Sequence, residues 1–175
     1  MTKVILLEQL AQYTAEKTRD LLLSVARQKE DKEPPQDRAV QVYRTRLPDS
    51  TAAKKKAPYI LHQIITGKDS QSPGGPVDSL ATVRTIFCVY HPDEQEGGLA
   101  LLNLMERLRI GLLEDRLIGK QFKLDMGSGL ESLVYPENVA PYYAGEMISV
   151  WRMPMIERKV PNAQEHNWNG GGIRR

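Results

Sequence analysis

Hydrophobic residues along the chain change between two spacings, one typical of strands and one typical of helices. Residues 80–90 are dense in β-branched and aromatic side chains, which predicts a strand. Residues 91–98 contain a proline and two adjacent glycines, which predicts a loop. A stripe at helical spacing follows: Leu101, Leu104, Met105, Leu108 and Leu112, widened by Leu102 and Leu113. A strand that leads into an amphipathic helix predicts a helix packed on a sheet.

The N-terminal pattern is also helical. Residues 2–30 carry two apolar segments separated by a polar stretch, which predicts one helix or two. Two adjacent prolines, Pro34 and Pro35, end this region because the residue before a proline is pushed out of the helical conformation. Such a helix either covers the sheet or packs on a neighbouring subunit.

Further strands are predicted where short apolar runs stand between turn residues. They are residues 39–46, 58–66, 121–124, 130–135 and 144–153. Residues 67–79, with a Pro-Gly-Gly-Pro sequence, predict a long flexible loop at the tip of a hairpin. A loop of this length in a compact domain is usually functional, so it is the first place to expect a partner contact.

Length and element order together predict the fold. A chain of 175 residues defaults to one domain. We expect an α/β (α+β) fold with a mixed, mainly antiparallel sheet packed by the N-terminal and central helices. The domain spans residues 1–159, with the helix at 2–30 and the core at 38–158, and a flexible polar tail occupies residues 160–175.

Charge and composition narrow the function classes. The 24 Lys and Arg nearly balance the 22 Asp and Glu, which argues against general binding to duplex DNA. No window approaches the roughly 20 apolar residues that span a bilayer, so we expect no membrane partner and synthesis in the cytoplasm. The single Cys88 lies inside an apolar strand, which predicts a small buried side chain and not a nucleophile.

Catalytic, metal and cofactor motifs are missing from the sequence. The three histidines, His62, His91 and His166, stand at no metal-ligand spacing, and His62 and His91 are expected at a strand face or edge and at a strand end. Ser128 lies between glycines but has no strand-turn-helix context for a nucleophile. Gly97 and Gly98 precede the predicted helix, where backbone amides could bind an anion, but the acidic residues around them argue against phosphate binding. We therefore expect no catalytic, metal-binding or cofactor-binding residues and no cofactor.

Several segments resemble the tail-completion, or tail terminator, proteins of long-tailed bacteriophages. The resembling segments are residues 58–69, 83–90, 97–113 and 142–154, within a region of about residues 57–158. The resemblance implies an α/β fold and a homo-oligomeric ring, typically a hexamer. Such a ring caps the tail tube and joins the tail to the head-tail connector or stopper protein, with genomic DNA only passing through its lumen. It also implies a structural virion protein of the neck, assembled in the host cytoplasm, and not an enzyme.

Candidate contacts between subunits or with partners come from two loops outside the regular pattern. Three adjacent lysines in residues 47–57 either attract an acidic partner or form a solvated run. The candidate contact residues are Lys54, Lys55, Lys56, Lys68, Asp69, Ser70, Gln71, Pro73, Gly74 and Gly75. Three alternatives to a tail terminator stay open: another neck component, such as a connector or tube subunit; a small enzyme; and a nucleic-acid-binding module. The nucleic-acid-binding module would use the three adjacent lysines of residues 54–56 with Arg174 and Arg175.

Overall fold

A computed structural model describes residues 2–27, 33, 35–48, 53–54, 56–136 and 140–155. Within these residues there are two helices, α1 (Lys3–Thr18) and α2 (Glu94–Asp115). The strands are β1 (Leu22–Leu23), β2 (Arg38–Ala39), β3 (Gln41–Arg44), β4 (Tyr59–Gln71), β5 (Val77–Tyr90), β6 (Leu117–Ile118), β7 (Phe122–Leu124), β8 (Leu130–Val134) and β9 (Tyr142–Arg152). Neither helix has the combination of length and hydropathy that crossing a membrane requires.

Seven of the strands form one sheet in the order β3-β4-β5-β9-β7-β6, and β8 pairs with β9 beside this path. Only the β3–β4 ladder is parallel, and the others are antiparallel. Strands β1 and β2 make a separate two-stranded ladder. The predicted fold class, a mainly antiparallel sheet packed by an N-terminal and a central helix, is confirmed.

The main core lies between the two helices and the sheet. The leucine stripe predicted for the central helix is buried as expected, although Leu102 is 46 % exposed and does not widen it. The helix side chains meet large residues of the sheet, among them Phe87, Phe122 and Trp151, none of which is exposed. Full burial of each such side chain contributes roughly 1.5–3 kcal/mol, which explains why the stripe determines where the helix lies.

A smaller cluster occupies the opposite face of the sheet. Tyr59 and Leu61 alternate along β4 with residues of the main core, so they point to the other side. They pack with Ala57 and Cys88, which is 6 % exposed. The prediction that Cys88 is a small buried side chain is confirmed.

The predicted N-terminal helix of residues 2–30 is wrong beyond Thr18. The chain turns there, with the Leu21 amide donating to the Thr18 carbonyl. Leu22 is exposed and Leu23 is buried, an alternation that suits a strand, and both pair with β2. Tertiary pairing has overridden the helical propensity of the leucine run. Residues 28–30 lie outside the described residues, as does the predicted tail at 160–175.

The predicted loop at residues 67–79 is also wrong, because β4 and β5 continue into it. Their ladder extends to the pair Gln71↔Val77, which leaves only residues 72–76 as the turn. The Ser79 hydroxyl donates to the Asp69 carboxylate and fixes this register. Gly74 adopts a φ of +72°, a conformation that favours glycine, and the Gly75 amide closes the turn.

The loop predicted at residues 91–98 ends earlier than expected, because α2 begins at Glu94. Asp93 caps the helix: its carboxylate accepts hydrogen bonds from the amides of Gln95 and Glu96 at 2.9 and 3.0 Å. Gly97 lies inside the helix, at a point where any Cβ would stand 2.1 Å from Cε2 of Tyr143 on β9. Glycine here permits close approach of helix and sheet and does not mark a loop.

Candidate assembly surface

The antiparallel ribbon of β4 and β5 carries most of the predicted contact residues. Lys68, Asp69, Ser70 and Gln71 lie on the last part of β4, where every residue from Ile65 onwards is exposed. Pro73 and Gly74 lie exposed in the turn, and Gly75 is half-buried beside them. The ribbon therefore presents these side chains on a regular, hydrogen-bonded frame.

The ribbon is held to the sheet by charged contacts close to its turn. Arg152 at the end of β9 donates to Asp78 at 2.6 Å and to Asp125 at 3.2 Å. Hydrogen bonds from Ser128 and then Arg152 hold the pKa of the Asp125 carboxyl below its usual range. The Met153 amide donates to the Ser79 carbonyl at 2.8 Å and continues the pairing past β9. These contacts fix the direction in which the ribbon leaves the sheet.

The lysine cluster lies far from the tip of the ribbon. Lys54 Nζ stands 5.6 Å from the ring centroid of Tyr142, which pairs with Tyr90 at the end of β5. Val77, at the tip, is at the other end of the same strand, roughly 40 Å away at strand spacing. Lys56 is half-buried and its carbonyl accepts from Arg38, and Lys55 lies outside the described residues. The two predicted contact groups therefore form separate surfaces.

Tyrosines surround Cys88 near the lysine cluster. Tyr43 packs edge-on against Tyr59 at 6.3 Å between ring centroids, and Tyr90 packs against Tyr142 at 5.4 Å. Burial raises the pKa of the Cys88 thiol to about 11, so the thiol is protonated at neutral pH. A protonated, buried thiol is a poor nucleophile. This part of the structure has the properties of packing and not those of a nucleophilic site.

His62 lies on a strand, β4, as expected, but its full burial between α1 and β5 was not predicted. It is fully buried, with Nε2 3.0 Å from Oγ1 of Thr14 on α1 and Nδ1 2.9 Å from Oγ1 of Thr85 on β5. Burial lowers the pKa of the imidazole to about 3. The histidine thus joins α1, β4 and β5 through a neutral polar bridge. Its two hydroxyl partners lie on distant segments of the chain, so no local spacing in the sequence reveals the bridge.

A second polar group lies on β5 and β9 with β8 beside it. Arg84 donates to Glu146 at 2.6 Å and to the Tyr135 hydroxyl at 3.0 Å, and that hydroxyl donates to Glu146 at 2.7 Å. The hydrogen bonds from Tyr135 and Arg84 lower the pKa of Glu146. All three groups are satisfied by one another, as expected for a network that ties neighbouring strands together.

Metal ligands are not clustered in the described part of the chain, where no group of three or more His, Cys, Asp or Glu residues could hold an ion. The His91 side chain bonds locally, accepting from the Asp93 amide at Nδ1, and His166 lies outside the described residues. No protein-family model matches the chain, and no curated protein matches it significantly. The resemblance of residues 57–158 to tail terminators therefore stays a prediction from residue patterns.

Proposed function

We propose that this chain is a structural virion protein of the tail terminator class. It forms a homo-oligomeric ring that caps the tail tube and joins the tail to the head-tail connector, with DNA passing through the ring. It acts by shape and self-association, and no covalent bond is made or broken. The observation that carries the proposal is the ribbon of β4 and β5, whose residues 65–74 are exposed and whose turn at residues 72–76 extends beyond the pairing with β9, which ends at Leu80↔Arg152.

Support also comes from the position of the segments that resemble the family. Residues 58–69, 83–90 and 142–154 correspond to three neighbouring strands, β4, β5 and β9, and residues 97–113 lie in the helix that packs on them. The resembling segments therefore form one contiguous unit of the fold. A rigid unit with a projecting ribbon suits an assembly protein, because a partner then orders few additional residues on binding.

The proposal is tested by removing the gene from the virus that encodes the chain. We expect filled heads and tail tubes of irregular length that remain unattached in electron micrographs, and joining restored by the wild-type chain. A tube subunit would instead leave no tubes, so the phenotype separates these two functions. Normal virions from the deletion would overturn the proposal.

The ribbon itself is tested by shortening it without disturbing its register. Because Ser70 pairs with Asp78, residues 71–77 can be replaced by Asn-Gly, a sequence that closes a two-residue hairpin, and the Asp78–Arg152 contact is kept. We expect a folded chain that fails to restore tail joining. The control is Gln12→Ala, an exposed residue of α1, which should restore joining fully. Full activity of the shortened chain would show that the ribbon makes no required contact.

A further inference from the structure

Four strands of the sheet keep an unpaired edge among the described residues: β3 and β6 at the two ends of the order, β8, and the part of β4 that runs past β3. Of these, β4 and β8 are the candidate partners, because both carry exposed apolar side chains at the edge. Strand β3 pairs with β4 only as far as Arg44↔His62, yet β4 continues to Gln71. Strand β8 pairs with β9 alone, so its other edge is open. The sheet order places β4 and β8 on opposite sides of the central strands β5 and β9. Open edges expose unpaired amides and carbonyls, which favours pairing with another chain.

Strand β3 leaves β4 at a defined point. Thr45 donates its amide to the His62 carbonyl at 2.8 Å and then turns away with a φ of 64°. A groove of about 320 Å³ lies beyond this turn, lined in part by Val4, Leu7 and Ile64. The register between β4 and β5 shifts between Ile64 and Thr66, and it is regular from there to Gln71. The regular segment, residues 66–71, offers space for one more strand.

Strand β8 has the size and side chains that fit this edge. It has five residues, none buried, and Leu133 is 51 % exposed. On the β4 side, Val4 and Ile65 are 63 % and 48 % exposed. Exposed apolar residues at both edges are costly in a monomer and are covered when the edges meet.

The charges of the two edges are complementary. The only charged residue of β8 is Glu131, and it is exposed. The open segment of β4 carries Lys68 and Asp69, and the Asp69 carboxylate already accepts a hydrogen bond from Ser79 within the ribbon. The Lys3 side chain lies against Gly67, since a Cβ there would stand 2.0 Å from Lys3 Nζ, so the segment has a net positive charge. Pairing of the edges would bring a carboxylate near two ammonium groups, which favours the encounter of two copies.

We propose that β8 of one copy adds to the open edge of β4 in a second copy, so that the sheet continues from subunit to subunit. The two edges differ, so the interface is heterologous and every subunit uses both. Repetition of this contact closes a ring or builds an open filament. The inference rests on the proposed function only for closure into a ring.

The ladder of β8 allows one edge to be blocked selectively. The Tyr135 amide donates to the Ala144 carbonyl on β9, so in an alternating antiparallel ladder the amides of Ser132 and Val134 point to the open edge. Ser132→Pro therefore removes an outward amide and keeps the pairing with β9. Ser132→Ala is its matched control. For β4, Ile65→Lys places a charge at the edge, and Ile65→Val is the control.

The test is the mass of each chain in solution, measured by light scattering after size-exclusion chromatography, with thermal unfolding to confirm folding. We expect oligomers from the wild type and both controls, and monomers from Ser132→Pro and Ile65→Lys alone. Mixed in equal amounts, these two variants retain one intact edge of each kind. They should form heterodimers of twice the 19.8 kDa chain and nothing larger.

Two results would overturn the inference: a wild type that stays monomeric, or folded edge variants that assemble like the wild type. A mixture that stays monomeric would also contradict a heterologous contact between these edges. The proposed function fails in a different way. Normal virions without the gene would reject the tail function even if the edges pair, and rings that survive both edge variants would reject only this contact.

Discussion

Protonation of His62 should make the fold unusually sensitive to mild acid. The imidazole is fully buried and has no carboxylate among its hydrogen-bond partners, the hydroxyls of Thr14 and Thr85. Its pKa is about 3 in the folded chain, against an ordinary value of 6.5 when the chain is unfolded. The unfolded state therefore binds the extra proton first as the pH falls. The contribution of His62 is complete well above pH 6.5 and is lost progressively as the pH falls from there towards pH 3.

The magnitude follows from the size of the shift. Each pH unit well between the two pKa values costs about 1.4 kcal/mol of unfolding free energy, and the imidazole of the unfolded chain is already half protonated at pH 6.5, so His62 alone removes roughly 2 kcal/mol between pH 6.5 and pH 4.5. That loss is a large fraction of a typical domain stability of roughly 5–15 kcal/mol. Carboxylates that titrate in the same range add their own terms, so the effect of His62 must be isolated by comparison with a variant.

The assay is urea unfolding followed by tryptophan fluorescence at fixed protein concentration, at pH 6.5 and pH 4.5. His62→Gln keeps a polar side chain at the site without a titrating group, and it should lose roughly 2 kcal/mol less than the wild type over this interval. His91→Gln, a partly exposed control, should follow the wild type. Equal losses in the wild type and His62→Gln would refute the assignment of His62 as a buried neutral bridge.

Two further predictions concern α2. Gly97→Ala should destabilise the chain by roughly 1–3 kcal/mol in urea unfolding, because the new Cβ would collide with Tyr143. The control Gly98→Ala, whose Cβ meets open space, should be neutral or stabilising. Equal changes in unfolding free energy from the two substitutions would contradict the close packing of Gly97 on Tyr143. Asp93→Ala should lower the melting temperature and Asp93→Asn should largely retain it. Because backbone hydrogen bonds lower the Asp93 pKa, the difference in melting temperature between the wild type and Asp93→Ala should shrink below pH 3.8. A difference in melting temperature that does not change with pH would argue against the carboxylate cap.

Much of the central fold is predictable because its patterns are local. The leucine stripe of α2 needs only helical spacing, and the apolar run of β5 needs only β-branched residues, so both are identified correctly. Cys88 follows from its strand context in the same way. Where burial on one face determines the element, short-range periodicity carries enough information.

The differences arise where a distant contact overrides local preference. Gly97 reads as a loop residue until Tyr143 is placed against it, 46 positions later in the chain. The polar residues 67–71 read as a loop until β5 supplies pairing partners. His62 has no sequence signal at all, since its two hydroxyl partners lie 48 and 23 positions away. These features depend on long-range pairs that periodicity within one segment cannot reveal.

The candidate contact residues stay a prediction as contacts. Residues 68–74 are exposed, and residues 68–71 lie on a strand whose backbone is paired with β5. The open edges of β4 and β8 could not be anticipated, because an edge is defined by which strands are absent beside it. Sheet order is a property of the whole topology and is not encoded in any one strand.

The central claim is that this chain functions as a closed assembly of identical subunits. The most direct measurement is the native mass of the purified full-length chain, by native mass spectrometry over a range of concentrations. We expect one dominant closed species, six copies of the 19.8 kDa chain as the family resemblance implies, or about 119 kDa. A single-chain mass at every concentration, alone and with the tail tube protein, would contradict the account.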